Sequence, residues 1–483
     1  MKLKDLLAGI SVLEATADME LNIENISYDS RKVVPGSLFV AIAGFASDGN
    51  RFIPMAMEKG AAAVVTAKKP ESDIPYILVE SDRLALALIG CNYFGHPSKS
   101  MKMIGVTGTN GKTSVTLLLK QVLEKTLRAK VGLIGTMENR IGDLVLPTER
   151  TTPESFELQA LFAQMRDAGC THVVMEVSSH AIALDRIGGV YFDVAAFTNL
   201  TEDHLDFHKT MENYCDTKAE LFARCGKTVA NQDDMWFPRV TGKADCDLLT
   251  TSVKADAVLS ANALALHSDG ISFTASYKGQ EEKVSLPIPG RFTVYNALTV
   301  LGIALQLGIS LSAAAEALKT AEGIRGRIEV VPTPGMPYTV LVDYAHTPDG
   351  LENVLTAVKD FCKGRVIAVF GCGGDRDPIK RPIMGKIGTN LADFAVITSD
   401  NPRTEDPMSI IDDILKGVDV PKEKYIVIEN RRNAIRYAMD KAEKNDIIIL
   451  AGKGHETYQE ICGVKHHLDE REEVAAYLEE VRK

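Results

Sequence analysis

Two hydrophobic rhythms alternate along this chain. Short, nearly unbroken apolar runs give way to stretches in which apolar residues recur every three or four positions, the signature of buried strands alternating with amphipathic helices. Met103, Ile104 and Val106 form one such run, and Val115, Leu118, Leu119, Val122 and Leu123 follow at helical spacing. Strand-like pieces at 38–42 and 62–66, with a helix-like piece at 53–59, precede it. Further strands are predicted at 129–135, 171–177 and 194–198, then a helix carrying Lys218, shorter β-like runs after 231, and a helix carrying Asn296. From 338 the alternation resumes, with strands at 338–342, 365–370, 394–398, 425–428 and 446–450 and helices at 350–360, 380–391 and 431–443. Such alternation predicts an α/β protein of mostly parallel sheets covered by helices on both faces, the last of them doubly wound.

Length turns this into a multidomain reading. At 483 residues the chain exceeds one core, and about three domains of ~150 residues are expected. The turn-rich GHPSKS at 95–100 and GIRGRIEV at 323–330 place the boundaries at 1–98, 99–328 and 329–483. A hydrophobic fraction of 45% and a charged fraction of 25% are ordinary for a globular protein. The net charge of −11 argues against non-specific nucleic-acid binding, so anionic ligands must be met by local clusters. The eight cysteines show no C-x-x-C pair, which points to neither zinc nor a disulfide framework and fits a reducing cytoplasm. MKLKDLLAGI lacks the apolar core of a signal peptide, and no stretch approaches the ~18 apolar residues of a membrane helix, so no membrane insertion is expected.

The chemistry begins where the 103–106 run ends. Gly108, Thr109, Asn110, Gly111, Lys112, Thr113 and Ser114 join a strand to a helix. Glycines there free backbone N–H groups to face an anion at a helix N-terminus. Lys112 would reach the β- and γ-phosphates, and the Thr113 hydroxyl would meet magnesium. The usual G-x-x-x-x-G-K-[ST] spacing is missed by one, since Gly105 stands where 106 is expected; the plain alternative is a glycine-rich turn with an exposed lysine. Other polar clusters fall just past strand ends, where α/β sheets gather their ligands. They are Glu176 with Ser178, Ser179 and His180; Glu202 to His208; and, in the last third, 343–346, 371–377, 400–403 and 452–456, which should face one crevice. Thr152, before Pro153, reads equally well as a helix N-cap.

GTNGKTS at 108–114, EVSSHA at 176–181, NLTEDHLDFH at 199–208, the Lys218 helix, YNAL at 295–298, GRIE at 326–329 and DYAHTPD at 343–349 together resemble the Mur ligases of peptidoglycan synthesis, across the whole chain. The one-residue shift of the phosphate loop is itself the family's form. GCGGDRD at 371–377, DNPRTEDP at 400–407 and GKGHETYQ at 452–459 resemble the branch that adds a third residue to UDP-N-acetylmuramoyl-L-alanyl-D-glutamate. The resemblance implies an N-terminal domain for the UDP end, a central P-loop ATPase-type sheet and a C-terminal Rossmann-like domain for the amino acid. It assigns Ser30, Thr151, Thr152, Ser178 and Arg186 to the UDP-linked substrate. Asn296, Arg327 and Asp343 join the phosphate loop at ATP; of two Mg2+ ions, Thr113 meets one at the β/γ-phosphates, and Glu176, His204 and a CO2-derived carbamate on Lys218 hold the other. Leu184 and Asn50 stand where the family more often has glutamine and histidine.

Carboxylates do not condense with amines unaided, so ATP would first convert the substrate carboxylate to an acyl phosphate, with Lys112, Lys218, Glu176 and His204 as the catalytic set. A carbamate is chemically sensible at Lys218, because an ammonium repels magnesium whereas a carbamate offers it oxygen. The amino acid is expected to be meso-diaminopimelate. Arg403 supplies a planar fork for its distal carboxylate, the resemblance places Arg376 at the near one, and Asp400, Asn401, the Gly452 carbonyl and Glu456, around Pro402, can receive the ammonium. An L-lysine-adding ligase of the same family, folylpolyglutamate synthetase, and a silent scaffold on the same fold are the rivals. A cytoplasmic monomer is expected.

Overall fold

The structure, a computed structural model, describes residues 1–44 and 48–481. It comprises two compact units, one of residues 1–259 with 299–310 and the other of residues 260–298 with 311 onward.

The first unit opens with a sheet in the order Val12–Ala15, Tyr76–Val79, Ala63–Thr66, Ser37–Ala41, Asn25–Ser27, parallel except for its first pair. Both faces of its middle strands are buried. Leu38 and Val40 pack with Leu86 and Ile89 of helix Asp82–Tyr93, while Phe39 and Ala41 pack with Ile53 and Ala56 of helix Ile53–Glu58. That explains the continuous apolar run, since a parallel strand covered twice has no solvent face to alternate with.

The second sheet of this unit is built around strand Lys102–Thr107, which pairs in parallel with His172–Glu176 on one side and Val194–Phe197 on the other. Lys227–Asn231 and Asp247–Ser252 extend it beyond Val194–Phe197. Val131–Ile134 and the antiparallel pair Asn139–Ile141 and Leu144–Leu146 extend it the other way. The carboxyl ends of the three central strands thus converge at Thr107, Glu176 and Phe197. Helix Lys112–Leu127 buries the periodic residues Val115, Leu118, Leu119, Val122 and Leu123. Helix Ser155–Asp167 begins later than a Thr152 cap would place it. Glu154 caps it by accepting from Ser155 N at 3.1 Å, and the Thr152 hydroxyl is used elsewhere.

In the second unit the strand order is Glu329–Val331, Thr339–Asp343, Ile447–Ala451, Val366–Phe370, Phe394–Ile397, Tyr425–Val427, parallel but for the first. Helices Pro348–Lys359, Lys380–Leu391 and Pro407–Leu415 cover the face bearing Leu341, Ala368, Phe370 and Ile449. Helices Arg431–Lys441 and Glu470–Val481 cover the opposite face, with Val340, Val342, Val369 and Leu450. This is the expected doubly wound arrangement. An antiparallel hairpin, Gly270–Tyr277 with Gln280–Leu286, precedes it. The helix at Pro407–Leu415, the helix at Glu470–Val481 and the hairpin Tyr458–Ile461 with Val464–His467 add to the predicted elements. Among the described residues no helix is long and apolar enough to cross a membrane.

Candidate active site

The phosphate loop is fixed by the neighbouring strand end. Thr109 N donates to Asn199 O at 2.8 Å, Asn110 N to Asn199 Oδ1 at 2.9 Å, and Thr198 Oγ1 to Asn110 O at 2.6 Å. Gly108, at φ 147°, passes so close to Thr198 that a Cβ would stand 2.0 Å from its Oγ1; no other residue fits. Gly111, at φ 85°, turns the chain into the helix that starts at Lys112. Lys112 Nζ folds back to donate to Gly108 O at 2.9 Å and Thr109 O at 2.8 Å. Its burial lowers the pKa of the amine, although Glu176 and Asp203 favour the charged form.

Lys218 projects from helix Met211–Ala219 to the same carbonyl, donating to Gly108 O at 3.0 Å, with its Nζ 4.6 Å from the centre of the Tyr214 ring. It is buried, and the Asp203 carboxylate does not offset that. Burial first, then the Lys112 charge, hold its pKa far below the usual lysine value. Glu176 is buried too, its two oxygens accepting from Thr136 N at 2.9 Å and Thr136 Oγ1 at 3.0 Å. His204 is half exposed, at φ 54°, with Nδ1 3.4 Å from Asp203 and its ring edge-on to His180 at 4.9 Å. Among the described residues no three histidine, cysteine, aspartate or glutamate side chains gather to hold a metal ion.

Beside Glu176 the structure brings together Thr151, Thr152, Ser178 and Arg186. Thr136 Oγ1 is 3.0 Å from Thr151 Oγ1. Thr152 Oγ1 donates to Glu176 O at 2.8 Å and accepts from Ser178 N at 3.2 Å, and Ser178 caps helix Ser179–Ala183. Arg186 Nη1 donates to Thr152 O at 3.2 Å, and its Nε lies 3.3 Å from Glu154, which Arg83 also approaches at 3.5 Å. Neither contact with Glu154 is aligned as a hydrogen bond, so they act as charge pairing. Ser30 is buried in the turn after strand Asn25–Ser27. Two residues before it, Tyr28 donates to Glu157 of helix Ser155–Asp167, and burial followed by this carboxylate raises its phenol pKa. Asn50 accepts from Thr66 Oγ1 at 2.6 Å, so it braces the first sheet where the family more often carries histidine.

The remaining candidates belong to the second unit. Asn296 is buried in helix Arg291–Gln306. Asp343 spends both carboxylate oxygens on backbone, accepting from Ile328 N and Ala345 N at 2.8 Å each, and so ties the Arg327 turn to the end of its strand. The Arg327 guanidinium lies 5.7 Å from the Tyr344 ring centre. All four strand-end clusters do line one cavity of about 260 Å³, whose walls include His346, Arg376, Lys380, Asp400, Asn401, Arg403, Gly452 and Glu456. Pro402 backs it, its carbonyl packed against Gly374. Arg403, at φ 52°, donates from Nη1 to Gly374 O at 2.7 Å and pairs through Nε with Glu460 at 3.4 Å. Its neighbours Glu405 and Asp406 are engaged elsewhere, with Arg381 and with the cap of helix Pro407–Leu415. Arg376 is exposed at the rim. Asn401 Oδ1 already receives Lys453 Nζ at 2.5 Å and Glu460 N at 2.9 Å, leaving Asp400, Glu456 and the Gly452 carbonyl as the acceptors open to an ammonium.

Thr136, Thr198, Asn199, Glu154 and Lys453 escaped the sequence reading. Each acts through a partner distant in sequence; Asn199 and Lys453 lie in the stretches 199–208 and 452–456 that the sequence singles out, but neither is marked there by a role of its own.

Sequence profiles of the Mur ligase family match three stretches: the family's catalytic domain at residues 22–86, its middle domain at 106–304 and its glutamate ligase domain at 326–454. The chain is 48% identical over 488 residues to a UDP-N-acetylmuramoyl-L-alanyl-D-glutamate–2,6-diaminopimelate ligase of Clostridium tetani, covering 100% of both. It is 50% identical over 465 residues to that of Clostridium botulinum, covering 95% of this chain and 96% of the other. A solved structure of a ligase of the same name superimposes with a TM-score of 0.79 at 31% identity, over 100% of this chain and 99% of that one. With the phosphate loop, the strand-end clusters and full-length similarity in agreement, this chain belongs to the Mur ligase family.

Proposed function

We propose that the protein joins meso-diaminopimelate to UDP-N-acetylmuramoyl-L-alanyl-D-glutamate, with cleavage of ATP to ADP and phosphate, in the synthesis of peptidoglycan precursors. The observation that carries this reading is the cavity in which Arg403 and Arg376 stand with Asp400 and Glu456. It offers cations for carboxylates and carboxylates for an ammonium, the groups that a diamino diacid presents. The names of relatives at about half identity over the full chain support it.

In this reading residues 1–98 hold the UDP end, 99–328 the nucleotide and 329–483 the amino acid. The loop N–H groups and Lys112 bind the ATP phosphates, and Lys112 exchanges its contacts with Gly108 O and Thr109 O for phosphate oxygens. Thr151, Thr152, Ser178 and Arg186 align the peptidyl carboxylate toward the γ-phosphate. Lys218, buried and with its pKa depressed, is poised as the neutral amine whose nitrogen attacks CO2 and loses a proton to give a carbamate. That carbamate, Glu176 and His204 form a mostly oxygen donor set that would fit one magnesium ion, and the Thr113 hydroxyl would meet a second at the β/γ-phosphates; both would neutralise phosphate charge there. Asn296, Arg327 and Asp343 complete the nucleotide site. The eight cysteines, all unpaired, fit a cytoplasmic enzyme, and we assign it the monomeric state.

Phosphate release from ATP, measured with the UDP-linked dipeptide and a panel of amino acids, tests the whole. Turnover with diaminopimelate should exceed that with L-lysine by about 10⁴-fold in kcat/KM, since a site built for a polar group leaves its own partners unpaired when that group is missing. Comparable values would reassign the chain to lysine addition. Turnover only with a pterin glutamate would reassign it to folylpolyglutamate synthesis, and none with any acceptor to a scaffold.

A further inference from the structure

After strand Ile447–Ala451 the chain runs along the cavity at Gly452 and then turns Lys453 inward, where none of its side chain is exposed. The Nζ meets three acceptors, Asn401 Oδ1 at 2.5 Å, Asp400 Oδ1 at 3.1 Å and Glu456 Oε2 at 3.4 Å. The Asp400 contact is an ion pair that lacks hydrogen-bond alignment. Asp400, Asn401 and Glu456 line the cavity and Lys453 stands behind them. An ammonium can only donate, so it fixes the Asn401 amide with oxygen inward, and Nδ2 then donates to Glu456 Oε2 at 3.0 Å. Burial by itself would raise the Asp400 pKa; Lys453 and then Arg431 reverse this and hold it below the usual carboxylate range.

We propose that Lys453 is a positioning residue that pairs with Asp400 and fixes Asn401 and Glu456 at the cavity wall, and thereby favours an amino acid with a second carboxylate over one with a single carboxylate. The inference rests on the amino-acid site assigned above. With histidine counted as neutral, Arg376, Lys380, Arg403 and Lys453 stand against Asp400, Glu456 and the Arg403 partner Glu460, which leaves one positive charge in surplus. The attacking α-amine must be neutral. In that form diaminopimelate carries a net negative charge and lysine none, so the surplus favours the first. Removing Lys453 abolishes it.

The test is phosphate-release kinetics of the wild-type enzyme and Lys453→Met with diaminopimelate and with L-lysine, together with the KM for ATP. Loss of this buried charge, together with the alignment it gives Asp400, Asn401 and Glu456, should lower kcat/KM for diaminopimelate about 100-fold and for lysine less than about tenfold, with the ATP KM within about threefold of wild type. Equal losses for the two amino acids, an unchanged ratio, or a parallel rise in the ATP KM would overturn the proposal. Should Lys453→Met fail to fold, Glu456→Gln decides. It makes the cavity one charge more positive, so lysine should lose at least about threefold more than diaminopimelate, and equal or reversed losses overturn the role of Lys453. A wild-type enzyme indifferent to the two amino acids sinks the site reading and this proposal together, whereas a preference that survives in Lys453→Met sinks only the latter.

Discussion

Two amines, those of Lys112 and Lys218, converge on the Gly108 carbonyl at 2.9 and 3.0 Å, and they are not equivalent. Lys112 sits in the electrostatic reach of Glu176 and Asp203, whereas the charge next felt by Lys218 after burial is that of Lys112 itself. In the proposed reading the pair divides into a phosphate-binding cation, Lys112, and an amine suited to carbamylation, Lys218. Lys218→Ala should keep its fold by circular dichroism yet lose nearly all phosphate release, with formate or acetate restoring part of it by supplying an oxygen ligand; full activity without added carboxylate would refute the carbamate. His208 makes a second residue-scale case. Burial, then the His180, Lys218 and His204 charges, push its pKa down to about 4, and its Nε2 lies 2.9 Å from Ser179 Oγ. The unfolded chain takes up that proton near pH 6.5 and the folded one only near 4, so stability is lost as pH falls through that interval. The melting temperature should drop between pH 7 and 5, and His208→Gln should flatten the drop.

At the level of elements, the loop and its neighbouring strand end behave as one piece. Gly108→Ala would drive a Cβ into Thr198 Oγ1 at a φ that side chains avoid, and we expect a loss of about 1–3 kcal/mol in urea unfolding with ATP turnover abolished. A normal unfolding midpoint would show that the loop relaxes. Most elements were legible because their pattern is local: helix Lys380–Leu391 and the continuously apolar strands of both doubly covered sheets read directly from spacing. What stayed hidden is non-local. Thr152 has the hydroxyl and the following proline of a helix cap, but its hydroxyl bonds Glu176 O, 24 residues away, and Glu154 caps instead. Helix Pro407–Leu415 begins with its own cap and proline, Asp406 and Pro407, inside a stretch whose arginine and carboxylates read first as a binding motif. Lys453 carries no signal of its own within 452–456, because the partners that bury it, Asp400 and Asn401, come from another strand end.

For the whole molecule, the residues that would activate the carboxylate, Lys112, Glu176 and Lys218, lie in one compact unit and the amino-acid cavity in the other. The two half-reactions should then separate by mutation. Arg403→Ala removes a guanidinium that would pair with the distal carboxylate and leaves that carboxylate unmatched, a loss of about 2–3 kcal/mol for a charge-assisted bond. The KM for diaminopimelate should therefore rise about 30- to 150-fold, at 1.36 kcal/mol per tenfold, while the KM for ATP and the ADP formed in a single turnover without amino acid stay near wild type. Arg403 Nη1 also holds the Gly374 carbonyl at 2.7 Å, so part of the loss could come from a displaced loop. Arg403→Lys separates the two causes, since a lysine keeps the charge without the planar fork. If the fork is what matters, Arg403→Lys should recover less than about a tenth of the lost kcat/KM, and the L-lysine substrate, which has no distal carboxylate, should be nearly insensitive to either substitution. An equal loss with L-lysine would mean that Arg403 serves the loop and not the ligand.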